Sequence, residues 1–411
     1  LAAMARQAGQ RVGYCCTDGV VIDGAQIEAG DFSGPAGARA VLRQPNIDFA
    51  VLEVARGGIL RRGLALERAQ VALLTNVSPE HFGEYGIDSI EDLAEVKLVL
   101  AQALGPKGTL VLNADDALLL EFANRAASQL TCQIALFALD YAHPALQAQR
   151  ARGAACCGVQ NGHLLLYWGQ QEYDLGLVVA MPLTVGGSAG YNIANCAGAA
   201  LSAVAAGIAI ADIAQVLVQF GASRHDNPGR LERWDLPDLT VLMDYAHNPE
   251  GLAGLMTVAQ SLLQQRQQNA ESAVAGRIGL LLGQAGNRSN EAIADLAQAA
   301  ASFAPAHIVL KDITGYMRGR MAGEVPQLLQ AQLLVCGMDA SQIELILPEV
   351  EAAQALLRWA KAGDVLVLPV HDQSSKQAMQ ATLDALQASG WHAGQTLPAL
   401  VAEEYSQGNT P

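Results

Sequence analysis

The chain has 411 residues, more than one ordinary domain holds, so two domains are expected. Hydrophobic residues make up 51% and charged residues 16%, enough to fill sizeable cores. The net charge of −15 argues against a nucleic-acid-binding surface, which needs basic patches, but leaves anionic ligands open, since glycine-rich loops and helix N-termini hold phosphate even in acidic proteins.

The chain opens at Leu1 with the register of a helix already under way and with no methionine or signal-peptide pattern, so a fragment is expected. Phe49 to Val54 and Val71 to Asn76 are apolar runs of strand length, each followed by turn and helix signals. Thr109 to Leu112 is a third, ending at Asn113-Ala114-Asp115-Asp116. Helical periodicity runs through Ile90 to Leu104 and Leu118 to Ala127. Short apolar runs alternating with helices predict a mostly parallel sheet buried on both faces. From residue 130 to 185 the pattern becomes hairpin-like: strands at Gln133 to Leu139, His163 to Trp168 and Leu175 to Met181, with a turn at Asn161-Gly162. A small-residue helix is predicted over Asn192 to Ala206. The surrounding alanine-rich stretch, Ala194 to Ala211, comes nearest to a membrane span, but it contains Asn195 and reads as a buried helix.

Asp226-Asn227-Pro228-Gly229 marks a break, which sets the expected domains at 1–225 and 226–411. Beyond it, Thr240 to Met243, Ile278 to Leu282, His307 to Leu310, Glu344 to Leu347 and Val365 to Leu368 alternate with helices. That is the pattern of a smaller doubly wound α/β domain, whose ligands bind at the carboxyl ends of the strands. The polar residues at the C-terminus are expected to fray. Seven cysteines without a CxxC spacing suit a reduced, cytoplasmic compartment and argue against a thiolate metal site.

Several strand ends carry candidate chemistry. Glu53 could hold Mg²⁺, or could cap a helix or pair with Arg56, Arg61 or Arg62. His81, in Asn76-Val77-Ser78-Pro79-Glu80-His81, is a metal ligand, an acid/base group or a solvated loop residue. Lys97, on the following helix, reads by itself as a solvated helix-face charge, as most such lysines are. Asn192 and Asn195 share a face of the small-residue helix and fit either capping or contact with a nucleobase or phosphate. Arg230 can neutralise a phosphate bidentately. Asp244-Tyr245-Ala246-His247-Asn248-Pro249 crowds acid, imidazole and amide at a strand-to-helix corner; the same residues suit a polar turn with Asn248 as N-cap and Pro249 at the first helical position. Gly283-Gln284-Ala285-Gly286-Asn287-Arg288 turns backbone N–H groups toward any ligand after the next strand. Lys311-Asp312 and Arg318-Gly319-Arg320 follow the strand after that. Asp244/His247, Arg288 and Lys311 on three strand ends together suggest a ligand site.

Taken in order, these segments resemble the Mur ligase superfamily, the ATP-dependent amide ligases of peptidoglycan synthesis and folate polyglutamylation. Within it they are similar to the Mur-like half of the cyanophycin synthetases. The resemblance is carried by Thr17-Asp18-Gly19, Gly30-Asp31, Gly34-Pro35, the run from Leu52-Glu53 through Ala55-Arg56-Gly57-Gly58-Ile59-Leu60-Arg61-Arg62-Gly63, Asn76-Val77-Ser78 with His81, Val111 to Asp116, Asp244 to Pro249, and Arg318-Gly319-Arg320 with Gly323-Glu324. It implies a central ATPase domain (a mostly parallel sheet with a small β subregion) and a C-terminal Rossmann-like domain. It also implies an acyl-phosphate mechanism that uses ATP and Mg²⁺.

On this pattern Glu53 and His81 hold Mg²⁺. Lys97 matches a lysine that is often carbamylated. Asn192 and Asn195 lie near adenine. Arg230, Asp244, His247 and Asn248 reach ATP or the acyl phosphate, and Asn287-Arg288 replace a Gly-Asp-Arg motif. The P-loop has no counterpart, and Leu1 to Gly9 reads as the helix that follows it, so the chain is expected to start just after that loop. The implied substrates are arginine or lysine and an aspartate-containing peptide acceptor. No nucleic-acid or membrane partner is expected, and a homo-oligomer is compatible. The alternatives are a free-standing Mur-type ligase acting on another carboxylate and a non-catalytic Mur-like scaffold. A dehydrogenase is disfavoured because no GxGxxG opens a βαβ unit.

Overall fold

The structure, a computed structural model, describes residues 1–78, 85–126, 130–269 and 276–398. It divides into two compact units, Leu1–Ala222 and Ser223–Pro411. The strands, helices and contacts named are those of the described residues.

In the first unit a short helix, Ala2–Gln7, leads into β1 (Val12–Cys16), β2 (Gly19–Ile22) and β3 (Ala25–Ala29). After the helix Pro35–Leu42, β4 (Phe49–Leu52) lies parallel to β1, which gives a sheet of order β3-β2-β1-β4. The three N-terminal strands were not foreseen. β1 and β2 are short and separated only by Thr17-Asp18, and every residue of β3 is exposed.

The second sheet holds β5 (Ala69–Leu74), β6 (Leu104–Asn113), β7 (Gln133–Asp140), β8 (Cys156–Gln160), β9 (His163–Trp168) and β10 (Gln171–Leu177), in the order β10-β9-β8-β7-β6-β5. β5 to β8 are parallel, and β8 to β10 form an antiparallel meander. The sheet is buried on both faces. Val111 and Phe137 belong to one core with Ala197, Ala200 and Leu201, whereas Leu110 and Leu112 belong to another with Leu93, Leu119 and Leu146. The helix Gly190–Ala205 can lie close on the sheet because its facing residues are small. A Cβ on Gly198 would stand 3.1 Å from both Leu73 and Phe137.

The structure departs from three of the expectations. The helix over Ile90 to Leu104 ends at Leu98, a 3₁₀ turn covers Val99–Ala103, and Leu104 already opens β6. β7 is not part of a hairpin, because the helix Pro144–Ala151 carries the chain over to β8, its parallel neighbour. Asn161-Gly162 does make a tight turn, with positive φ at both residues, but it joins β8 to β9, and the next strand is Gln171–Leu177 rather than Leu175 to Met181.

Among the described residues the second unit has one sheet: β11 (Glu232–Asp235), β12 (Thr240–Asp244), β13 (Ile278–Leu282), β14 (His307–Leu310), β15 (Ile343–Leu345) and β16 (Val365–Pro369), ordered β11-β12-β16-β13-β14-β15. All neighbours are parallel except β11, an antiparallel edge. β11 was missed because it alternates buried Glu232 and Trp234 with exposed Arg233 and Asp235, and so shows no apolar run. The order sets the carboxyl ends of β12, β16, β13 and β14 side by side. Among the described residues no helix is long and apolar enough to cross a membrane.

Candidate functional site

In the first unit Glu53 leaves the carboxyl end of β4, where its N–H donates to the Cys15 carbonyl at 3.1 Å. Its side chain is exposed and is oriented by Thr17, whose N–H donates to Oε2 at 3.3 Å and whose hydroxyl donates to Oε1 at 3.0 Å. Just beyond, the Ala55 N–H donates to the Ser33 carbonyl at 3.0 Å, and a Cβ on Gly58 would lie 3.3 Å from the Gly34 Cα. The Gly34-Pro35 and Ala55 to Gly58 segments therefore meet.

At the end of β5 the half-buried Lys97 donates to the Asn76 carbonyl at 3.3 Å. It is tied to the strand-end loop rather than directed away from it. Asp116 receives the Val77 N–H at 2.6 Å and those of Leu118 and Leu119 at 3.0 Å, so one carboxylate joins the β5 loop to the start of a helix. His81 lies outside the described residues. Among the described ones no group of three or more His, Cys, Asp and Glu is placed to hold a metal ion.

Asn192 does not cap its helix. The helix begins at Gly190, no side chain caps it, and the buried Asn192 amide donates to the Leu183 carbonyl at 2.9 Å. The exposed Asn195 amide donates to the Asn192 Oδ1 at 3.4 Å, so the two side chains do share a face.

In the second unit the Asp244–Asn248 loop gathers most of the expected residues. Asp244 accepts the Leu231 N–H at 2.6 Å, and burial pushes its carboxyl above the usual carboxylate range. The N–H groups of Leu231, Tyr245 and Ala246 and the charge of Arg230 oppose that shift. The Arg230 guanidinium lies 5.3 Å from the Tyr245 ring centroid. His247 Nδ1 is 3.0 Å from the Tyr245 carbonyl; donating there leaves Nε2 as the unprotonated nitrogen of the neutral ring. Asn248 Oδ1 accepts the Gly251 N–H at 2.7 Å, so Asn248 does cap the helix Pro249–Asn269, with proline at its first position.

The β13 loop is joined to this one through Gln284, whose amide donates to the His247 carbonyl at 2.9 Å. Gly286 is needed there, because a Cβ would fall 1.9 Å from the Met317 carbonyl oxygen. Arg320 organises the same loop, with Nε to the Gly286 carbonyl at 2.9 Å and Nη2 to the Arg288 carbonyl at 2.9 Å. Asn287 is exposed and Arg288 half-buried.

Lys311 does not face a ligand. It is fully buried, and its ammonium bonds to Glu349 and, at 3.0 Å, to His371 Nδ1. Glu349 also accepts the N–H groups of His371 at 2.9 Å and Asp372 at 3.1 Å, and the Lys311 charge holds its carboxyl well below the usual range against the cost of burial. Glu349 and His371 went unnoticed in the sequence, where they stand 38 and 60 residues from Lys311 and in no motif with it.

Residues 2–202 match the Mur ligase middle domain, and residues 229–369 match the Mur ligase glutamate ligase domain. The chain is 34% identical over 368 residues to a cyanophycin synthetase of Geminocystis herdmanii and 35% identical over 369 residues to one of Crocosphaera subtropica. These alignments cover 90% and 89% of this chain, which spans 40% of the length of each relative. Among solved structures, a bifunctional folylpolyglutamate synthase/dihydrofolate synthase from Yersinia pestis superposes with a TM-score of 0.63 at 21% identity, covering 92% of this chain and 84% of that one. MurF from Acinetobacter baumannii does so with a TM-score of 0.60 at 17% identity, covering 93% and 73%. The structural likenesses establish the fold, the two domain matches account for most of the chain, and this chain belongs to the Mur ligase family, carrying its middle and glutamate ligase domains.

Proposed function

We propose that this chain is the catalytic body of an ATP- and Mg²⁺-dependent amide ligase that joins a basic amino acid, arginine or lysine, to an aspartate side chain of a cyanophycin-like peptide. The observation that carries the reading is the kinship with cyanophycin synthetases along 90% of the chain, with Glu53 and the Asp244–Asn248 loop both at the carboxyl ends of strands.

Glu53 suits Mg²⁺, a hard cation satisfied by one or two carboxylates together with phosphate oxygens and water. With His81 it would hold the ion, which would supply neutralising charge for the transferring phosphoryl group. The chain's own residues do the positioning. Thr17 aims Glu53, Lys97 adds a cation beside the β5 loop, and Asn192 and Asn195 offer amides to an adenine. Arg230 and Arg288 bring positive charge to phosphate oxygens, with Asn248 and Asn287 as amide neighbours. Asp244 and His247 orient the reacting groups. The acceptor carboxylate takes the γ-phosphoryl group of ATP, with ADP leaving, to give its acyl phosphate; the amine then attacks the carbonyl, phosphate leaves and the amine gives up a proton.

The test is phosphate release by the full-length protein with ATP, Mg²⁺, an aspartate-rich peptide and each amino acid in turn. The expected result is release that requires both the peptide and one basic amino acid and that disappears in Glu53→Ala. Release with a different acceptor would discard the polymer, and none under any condition would leave a scaffold.

A further inference from the structure

We infer that His371, gripped by Lys311 and Glu349, is a positioning residue that sets the Asp244–Asn248 loop; its consequence for turnover rests on the ligase reading above. Lysine is almost never fully buried unless paired. Here Lys311 follows β14, Glu349 opens the helix Glu349–Trp359 and His371 follows β16, so three separate elements converge on one buried point.

An ammonium has only protons to give, so His371 Nδ1 must accept from Lys311. The ring proton is then on Nε2, which is 3.0 Å from the Ala246 carbonyl and donates to it. Burial and the Lys311 charge hold the imidazole down to about 4, which keeps it neutral in this role. The Tyr245 ring stands edge-on to His371 at 5.2 Å and to His247 at 5.5 Å. The imidazole therefore meets the loop twice, at a carbonyl and at an aromatic ring, between Asp244 and His247.

Core filling does not explain the arrangement. Apolar residues of similar volume commonly stabilise a core as well as a buried ion pair does, or better, and they would leave the Ala246 carbonyl without a donor. What the trio adds is a fixed direction for one N–H bond, which Lys311 determines by closing the other ring nitrogen. Glu349 makes this tolerable by balancing Lys311, and it also accepts the His371 and Asp372 N–H groups.

Three measurements on the full-length protein test this. Nitrogen chemical shifts of the unmodified protein should show His371 as the neutral Nε2–H tautomer between about pH 5.5 and 8; an imidazolium or an Nδ1–H form there overturns the inference. Hydrogen exchange in the segment 244–252 should rise roughly tenfold or more in His371→Leu and return toward the starting value in His371→Gln, which keeps an N–H donor. Unchanged exchange in the leucine variant overturns the inference whatever happens to activity. Leucine should also lower kcat for phosphate release about tenfold to a hundredfold with KM for ATP within about twofold, and glutamine should rescue it. Raised exchange with unaltered kcat defeats the positioning role. If the unmodified protein turns over no ATP, the ligase reading falls, while the tautomer and exchange measurements still decide this one.

Discussion

Glu53 shows how much of a residue's role is visible in a sequence and how much is not. A carboxylate closing an apolar run is legible as a strand-end ligand. The residue that aims it is not, because Thr17 lies 36 positions away and meets it only through the β1–β4 pairing. Thr17 takes one lone pair on each carboxylate oxygen and so leaves acceptor capacity for an ion. Loss of such a supporting hydrogen bond typically weakens metal affinity about tenfold to a hundredfold. Thr17→Val should therefore raise the Mg²⁺ concentration for half-maximal phosphate release by about that factor, and Thr17→Ser should largely restore it. A metal dependence unmoved in the valine variant would remove Thr17 from the site. Lys311 teaches the opposite lesson. As a cation on a strand end it looked like a ligand contact, and only its burial and its partners reveal an internal role.

Elements were readable where burial shaped them on both faces. β12, β13, β14 and β16 are apolar throughout most of their lengths because parallel strands between helices meet no solvent. β3 and β11 were silent for the converse reason, and the Pro144–Ala151 helix was hidden because it is short and Leu146 is its one large apolar residue. Asp116 shows how a single side chain can join two elements. It caps the helix Ala117–Ala126 and holds the Val77 N–H of the loop that follows β5. Removing a cap typically costs about 0.5–2 kcal/mol, and stranding the Val77 N–H adds to it, so Asp116→Ala should lose roughly 1–3 kcal/mol. The loss should appear as a lower urea midpoint for the first unit. Since Lys97 reaches the same loop at Asn76, phosphate release should fall as well.

At the scale of the molecule, the second unit should be acid-sensitive. His371 titrates at about 4 in the folded state, against an ordinary 6.5. Its unfolded form therefore takes up a proton first as pH falls. Stability should be lost between pH 6.5 and about 4, at up to about 1.4 kcal/mol per pH unit. Glu349, held low by Lys311, contributes stability above its unfolded value of 4.5 and loses it as pH falls through its folded value. Asp244, raised by burial, acts in the opposite sense, because protonation relieves its buried charge. Urea unfolding at about pH 7 and about pH 5 should thus show a drop that His371→Gln, which cannot titrate, largely removes. An equal drop in that variant would assign the acid sensitivity to other groups.

The buried trio also has a consequence for descent. Replacing one member of a buried ion pair strands a charge, typically at a cost of about 3–5 kcal/mol, a large part of a domain's stability. Replacing the whole set with apolar side chains carries no such cost. A lineage has no easy route through the single changes, so Lys311 and Glu349 should be inherited as a pair. Among relatives of this chain, positions equivalent to Lys311 and Glu349 should be polar together or apolar together, and a survey that found them changing independently would mean that the core tolerates a stranded charge.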